Sequence, residues 1–232
     1  MRIVLFFFLA AYTFGQPPAF EAATIKPSKS QPGHSATHSR TGMIVLTGKT
    51  LKGLICSAYN VEDFQVSGGP KWVDDDRYDI NAKAEGAANG AQLDVMLQTL
   101  LADRFQLAVH HEQKIGPAFA LVVAKSGMKI QPVPGATGTN SNGGRGQLTV
   151  SGMTMPRFAE ILSRELKTPV VDLTGAPGAY AFKLEWSLEG DANDIQSAFF
   201  AAIQSTLGLK LESRKLPIDV IVVDRAEKPS DN

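Results

Sequence analysis

The stretch LTGKTLKGLICSAYNV, residues 46–61, decides the fold, because VSGMTMPRFAEILSRELKTPVV, residues 150–171, opens on the same pattern. In each, an apolar residue, a hydroxyl residue and Gly lead through one further residue to Thr, and then to apolar positions at helical spacing. Thr50 and Thr154 stand where an N-cap belongs, one step ahead of the periodic run. Pro156 suits the first turn of a helix, where a missing N–H costs nothing. Leu51, Leu54, Ile55 and Ala58 share one helical face; Met155, Phe158, Ala159, Leu162 and Leu166 share another.

Working outward, matching landmarks recur in the same order. VSGGP (66–70) and LTGAP (173–177) read as turns after the two helices. Two alternating strands follow. Tyr78, Ile80 and Ala82 oppose Asp79, Asn81 and Lys83, as Tyr180, Phe182, Leu184 and Trp186 oppose Ala181, Lys183 and Glu185. Such alternation buries one face and wets the other. A second helical stripe comes next in each half: Leu93, Met96, Leu97, Leu100, Leu101 and Phe105, then Ile195, Ala198, Phe199, Ala202, Ile203 and Leu207. Asp194 reads as the N-cap of the latter and Gly208 as its stop. Each half ends on a strand pair turning at a proline, Pro117 or Pro217.

The expectation is therefore an α+β fold of two similar β-α-β-β-α-β-β lobes in tandem, left by an internal duplication. Each lobe packs two helices on small mixed or antiparallel sheets. The plan is a signal peptide at 1–15, an N-terminal strand and polar loop at 16–42, and a first lobe at 43–130. A flexible Gly/Pro/Asn-rich linker at 131–146, a second lobe at 147–225 and a frayed polar tail at 226–232 complete it.

The first sixteen residues, MRIVLFFFLAAYTFGQ, place Arg2 before an apolar run and small or polar residues after it. That is the layout of a secretory signal peptide, with cleavage near Gly15–Gln16. The run is shorter than the ~20 residues that span a bilayer. The expected product is exported, periplasmic or extracellular, with no stable membrane insertion after signal cleavage. Charge is balanced, 23 basic against 23 acidic residues, so nothing favours nucleic acid or anionic lipid. Cys56 is the single cysteine, which excludes an internal disulfide framework.

Chemistry-bearing motifs are weak. In a strand, His110 and His111 of the HHE run point to opposite faces and do not share one ion easily. His34 and His38 have helical spacing in a stretch that reads as loop. Asp74, Asp75, Asp76 and Asp79 lack the alternation, the turn glycine and the final Glu of a calcium loop. No Gly-X-Ser-X-Gly nucleophile turn occurs, and GGRG at 143–146 lacks the strand and Lys-Ser/Thr of a phosphate loop. We therefore assign no catalytic, cofactor-binding or metal residues. Trp72 beside Asp74, Asp75 and Asp76 is the candidate recognition loop.

Longer phrases carry a resemblance: FEAATIKPS, SGGPKWVDDDRYDINAKA, MLQTLLADRFQLAVHHE, AFALVVAKSGMKI, TPVVDLTGAPGAYAFKLEW and LGLKLESRKLPIDVIVVDRAEKPSDN. Across nearly the whole chain after the leader, they resemble a soil-associated family of exported bacterial proteins of unknown function. The resemblance implies no activity or cofactor. Some relatives are fused to membrane-bound sensor peptidases, which implies sensing or docking outside the cytoplasm. A fainter, topological similarity is to the short N-terminal signalling domains of secretins and TonB-dependent receptors. The expected function is a non-enzymatic extracytoplasmic interaction or sensing module whose partner is an envelope or extracellular protein. Its docking edges are sought in AFALVVA (118–124) and IDVIVVD (218–224). The alternative is a small-ligand binder or hydrolase with a cleft between the lobes.

Overall fold

The computed structural model describes residues 17–30, 34–136 and 138–229; the leader and its expected cleavage site lie outside the described residues. The described chain begins with β1 (Ala22–Pro27), β2 (Ala36–Arg40), β3 (Met43–Thr50), α1 (Leu51–Tyr59) and β4 (Val66–Gly68). It continues through α2 (Trp72–Asp75), β5 (Arg77–Lys83), α3 (Gly90–Phe105) and β6 (Ala108–Val123). Next come β7 (Gln131–Pro132), β8 (Asn140–Gly144), β9 (Gln147–Thr154), α4 (Met155–Leu166) and β10 (Val170–Asp172). It ends with β11 (Ala179–Glu185), α5 (Ala192–Ala202), a π turn (Ile203–Leu207) and β12 (Leu209–Arg225). The architecture is α+β.

Two compact units divide these elements. The first takes the chain up to Asn60, then Pro70–Ala108 and the residues from Arg225 onward; the second takes Val61–Gly69 and Val109–Asp224. This grouping departs from lobes at 43–130 and 147–225. The second unit draws β4 and nearly all of β6 out of the first half of the sequence, because both belong to a sheet built around β12.

In the first unit, a four-stranded sheet has the order β1-β5-β3-β2 with every pair antiparallel. Ile44, Leu46, Tyr78, Ile80 and Ala82 fill its inner face, as the alternation of β3 and β5 dictates. α1 buries Leu51, Leu54, Ile55 and Ala58, and α3 buries Leu93, Leu97, Leu100, Leu101 and Phe105. The two helices touch: Gln98 Nε2 donates to the Ala58 carbonyl at 2.8 Å. Thr50 caps α1 through the Gly53 N–H at 3.1 Å. Ahead of it, Gly48 is left-handed at φ +64°, and a Cβ there would drive into the His34 carbonyl oxygen. Asp79 accepts from the Gly48 N–H at 2.8 Å and Arg77 donates to its carbonyl at 2.7 Å, pinning the bulge in β3.

The second unit contains two sheets. One has the order β7-β11-β9-β8, again wholly antiparallel. Thr154 caps α4 through the Arg157 N–H, two residues after the left-handed Gly152. Phe158, Leu162, Phe182, Leu184, Phe199 and Ile203 belong to one buried core beneath it. α5 is capped by Asp191; Asp194, expected as the cap, is the third residue of the helix and reaches back to the Asp191 N–H. An acid at either place suits the positive helix end, so residue type alone does not separate them. Gly208 ends the π turn at φ +68°, the stop the sequence indicates.

The other sheet has the order β10-β6-β12-β4. Its outer strands are short and parallel to their neighbours: β10 covers residues 119–121 of β6, and β4 covers residues 221–223 of β12. His110 meets Asp224 while Gln113 meets Asp219, so the long central strands run antiparallel. Both are single strands rather than pairs folded at proline. Pro117 and Pro217 lie outside the stretches β10 and β4 cover, so each strand needs ladder bonds on only one side there, and a missing N–H is tolerated.

Three other stretches are more ordered than their composition indicates. The polar stretch 28–41 contains β2, and the expected linker contributes β7 and β8. These edge strands are held by backbone bonds to β3, β11 and β9, which need no apolar side chain. The tail is anchored as far as described: the Glu227 N–H donates to the Phe105 carbonyl at 2.7 Å, and Lys228 pairs with Asp76 at 2.6 Å.

Candidate functional site

The residues singled out in the sequence form a small cluster in the first unit. Pro70 and Lys71 lead into α2, whose single turn buries Val73 and leaves Trp72 half-buried. The Trp72 ring stacks on Phe105 at 6.4 Å, and Phe105 in turn meets Tyr78 edge-on at 5.0 Å. Lys228 Nζ lies over the Trp72 ring, 5.8 Å from its centre. Asp76 pairs with Lys228, and Asp74 faces Lys52 at 3.7 Å. Asp75 shares the turn without an ion pair of this kind to the described residues. Burial, with the Asp76 charge second, pushes the Tyr78 hydroxyl above its ordinary range. Trp72 thus has an aromatic packing partner and a nearby cation, and two of the three acids are engaged with lysines. Beside this cluster, Lys26, Lys29, Arg77 and Tyr78 border an open cleft of about 810 Å³.

The histidines belong to the second unit. His110 Nδ1 lies 2.9 Å from both oxygens of Asp224, and both side chains are about half exposed. Glu112 pairs with Lys114 at 3.2 Å, and Lys114 reaches Ser67 at 3.4 Å. Among the described residues no three His, Cys, Asp or Glu side chains converge as a metal site requires.

A different feature stands out along these strands. β10 covers three residues of a sixteen-residue strand, and β4 three of a seventeen-residue one. Beyond those ladders, residues 109–117 of β6 and 209–217 of β12 each have an outer edge without a strand partner among the described residues. Residues 110–115 are all exposed, and Ile115 is exposed to 71%. The stretches 118–124 and 218–224, where the sequence led us to look for edges, hold instead the residues that β10 and β4 occupy. On β12 the open stretch is guarded by charge. Glu212 lies 2.5 Å from Arg214 and 3.3 Å from Lys210, and hydrogen bonds from first Arg214 and then Lys210 hold its carboxyl below the usual range.

Residues 52–226 match a family model described as Protein of unknown function (DUF3738). The chain belongs to that family. The DUF3738 match starts within α1 and runs past β12, so it takes in most of α1, α2 to α5 and the whole β10-β6-β12-β4 sheet, while β1, β2 and β3 precede it. No curated protein and no solved structure matches the chain.

Sequence reading missed the open edges because it missed β4 and β10. Three-residue strands have no periodicity to detect, and VSGGP looks like a turn alone. The one usable signal was Ile115, a large apolar residue amid HHEQK.

Proposed function

We propose that this chain is a non-enzymatic docking module that acts outside the cytoplasm and captures an extended segment of a partner protein by strand addition. The observation that carries the reading is the mismatch between long β6 and its short neighbour β10, which leaves residues 112–116 without a strand on that side among the described residues, beside an exposed Ile115. An added strand pairs through its backbone whatever its sequence, and alternate side chains supply selectivity. Charged residues at 112 and 114 oppose indiscriminate self-pairing, as natural edges do. Export rests on the leader-like residues 1–16, and a place among soil-bacterial exported proteins on the phrases quoted above.

The test is selection of short displayed peptides against the purified chain, followed by hydrogen exchange of the complex. The reading expects bound peptides to slow exchange at residues 112–116 and Ile115→Lys to weaken their binding. Peptides that protect other segments and bind Ile115→Lys equally well would overturn it.

A further inference from the structure

The second unit holds a groove of about 410 Å³ between α4 and α5, lined by Glu165, Leu166, Trp186, Asn193, Gln196 and Phe199 among others. Its origin is clearest beside the equivalent place in the first unit. The Ala84 N–H donates to Gly42, and the Trp186 N–H donates to Gly146; each is the first residue beyond the second strand of its sheet. Ala84 is buried with Ala88 and Leu93, and Phe20 and Met96 pack over them. Trp186 stays half-buried, and Phe199 braces its ring at 4.8 Å and 57°. α4 is also longer than α1, twelve residues against nine, and its last turn brings Glu165 and Leu166 to the rim.

The polar groups of this groove are uncommitted. The side chains of Glu165, Asn193 and Gln196, and the Trp186 indole N–H, make no hydrogen bond or ion pair with the described residues. An apolar occupant would strip water from those groups and return nothing. An anion would meet Glu165, the one charged residue on the lining. We infer that the groove is a carbohydrate site that takes neutral pyranose rings, with the C–H face of a ring on Trp186 and its hydroxyls on Glu165, Asn193 and Gln196. A pyranose has this two-sided character, and the volume lies in the range of small-molecule pockets. Glu165 has no second carboxylate on the lining, whereas glycoside hydrolysis uses a pair, so the site binds and does not cleave. This inference goes beyond the docking reading and shares no residue with it.

The test uses the full chain carrying Trp72→Phe, which leaves Trp186 as the sole tryptophan. Neutral oligosaccharides (gluco-, manno-, galacto- and N-acetylglucosamine oligomers) are titrated and followed by indole fluorescence and calorimetry. At least one series should shift Trp186 emission saturably. Gln196→Ala and Asn193→Ala, on the exposed face of α5, should weaken binding about tenfold when combined. Trp186→Ala should abolish the heat of binding. If that variant fails to fold, the paired α5 substitutions decide alone. Silence across every series, or heats unchanged by the α5 substitutions, would overturn the site.

Discussion

The two four-stranded sheets with the orders β1-β5-β3-β2 and β7-β11-β9-β8 share their topology, yet they are finished differently. In the first, β1 is six residues long and the chain just before it brings Phe20 over Ala84, Ala88 and Leu93. In the second, the outer strand β7 has two residues, and Trp186 stands beside a groove where Ala84 would be covered. The positions that agree fix the backbone: the hairpin glycines Gly42 and Gly146, the left-handed Gly48 and Gly152, and the capping Thr50 and Thr154. The positions that differ lie where the two sheets are finished, Ala84 buried under Phe20 and Trp186 half-buried beside a groove. A sheet order can therefore be maintained by a few conformational specialists while the layer over it is free to change.

Emptying each core breaks the comparison most severely. Phe105 and Phe158 are both fully buried, the first edge-on to Tyr78 and the second edge-on to Phe182 at 5.1 Å. Phe105→Ala and Phe158→Ala should each cost about 3–5 kcal/mol in urea unfolding. A loss below about 2 kcal/mol for one of them would show that its core closes over the gap, and that the two are not packed alike.

The shared backbone devices give the next largest effect. An alanine at Gly48 or Gly152 must hold a left-handed conformation and press its Cβ into a carbonyl, of His34 or Gly138 respectively. Gly48→Ala and Gly152→Ala should cost roughly 2–4 kcal/mol each and by similar amounts. Thermal melts of the two variants compare them directly; a tolerated alanine at either would remove that site from the set of common determinants.

The smallest effect separates the second helices. Asp94 of α3 occupies the place held by Gln196 in α5, the fifth helical residue of each. Burial pushes the Asp94 carboxyl above its ordinary range. A raised folded value means that the native state prefers the neutral acid. Stability should thus fall as pH rises from the unfolded value, about 4, through the folded one. Asp94→Asn should flatten that slope and leave the protein slightly more stable at neutral pH, with no gain below pH 4. Equal pH slopes for the two proteins would contradict the burial of this carboxyl.

The legible part of the fold was the part written in side-chain periodicity. The stripes of α1, α3, α4 and α5 and the alternation of β5 and β11 recur as buried faces. The caps at Thr50 and Thr154 follow from chemistry that only a few residue types can supply. What escaped is held by other means. β2, β7 and β8 are backbone-bonded edges, β4 and β10 are three-residue strands specified by distant partners, and β6 and β12 run through prolines that usually signal a break. The tail beyond Arg225 looked unbound because one backbone bond and Lys228 anchor it. As for sites, Trp72 and the acids at 74–76 were visible, but their engagement with Phe105, Lys52 and Lys228 depends on residues remote in sequence. Trp186 was legible as the next residue in the alternation that Tyr180, Phe182 and Leu184 set along β11, and it stands one position past the strand. That the polar groups around it lack partners was not, since partnership is a property of the folded chain.

The cross-pairing of β4 with β12 and of β10 with β6 makes the polypeptide resist division. A cut within 131–146 would send β4 and β6 away on one fragment and β10 and β12 on the other, and each short strand would be parted from the long strand it pairs with. The two pieces would be complementary rather than self-sufficient. A protease nick there would leave them clasped, and two genes encoding the pieces would form a natural split-protein pair, each chain acting as the template on which the other completes itself.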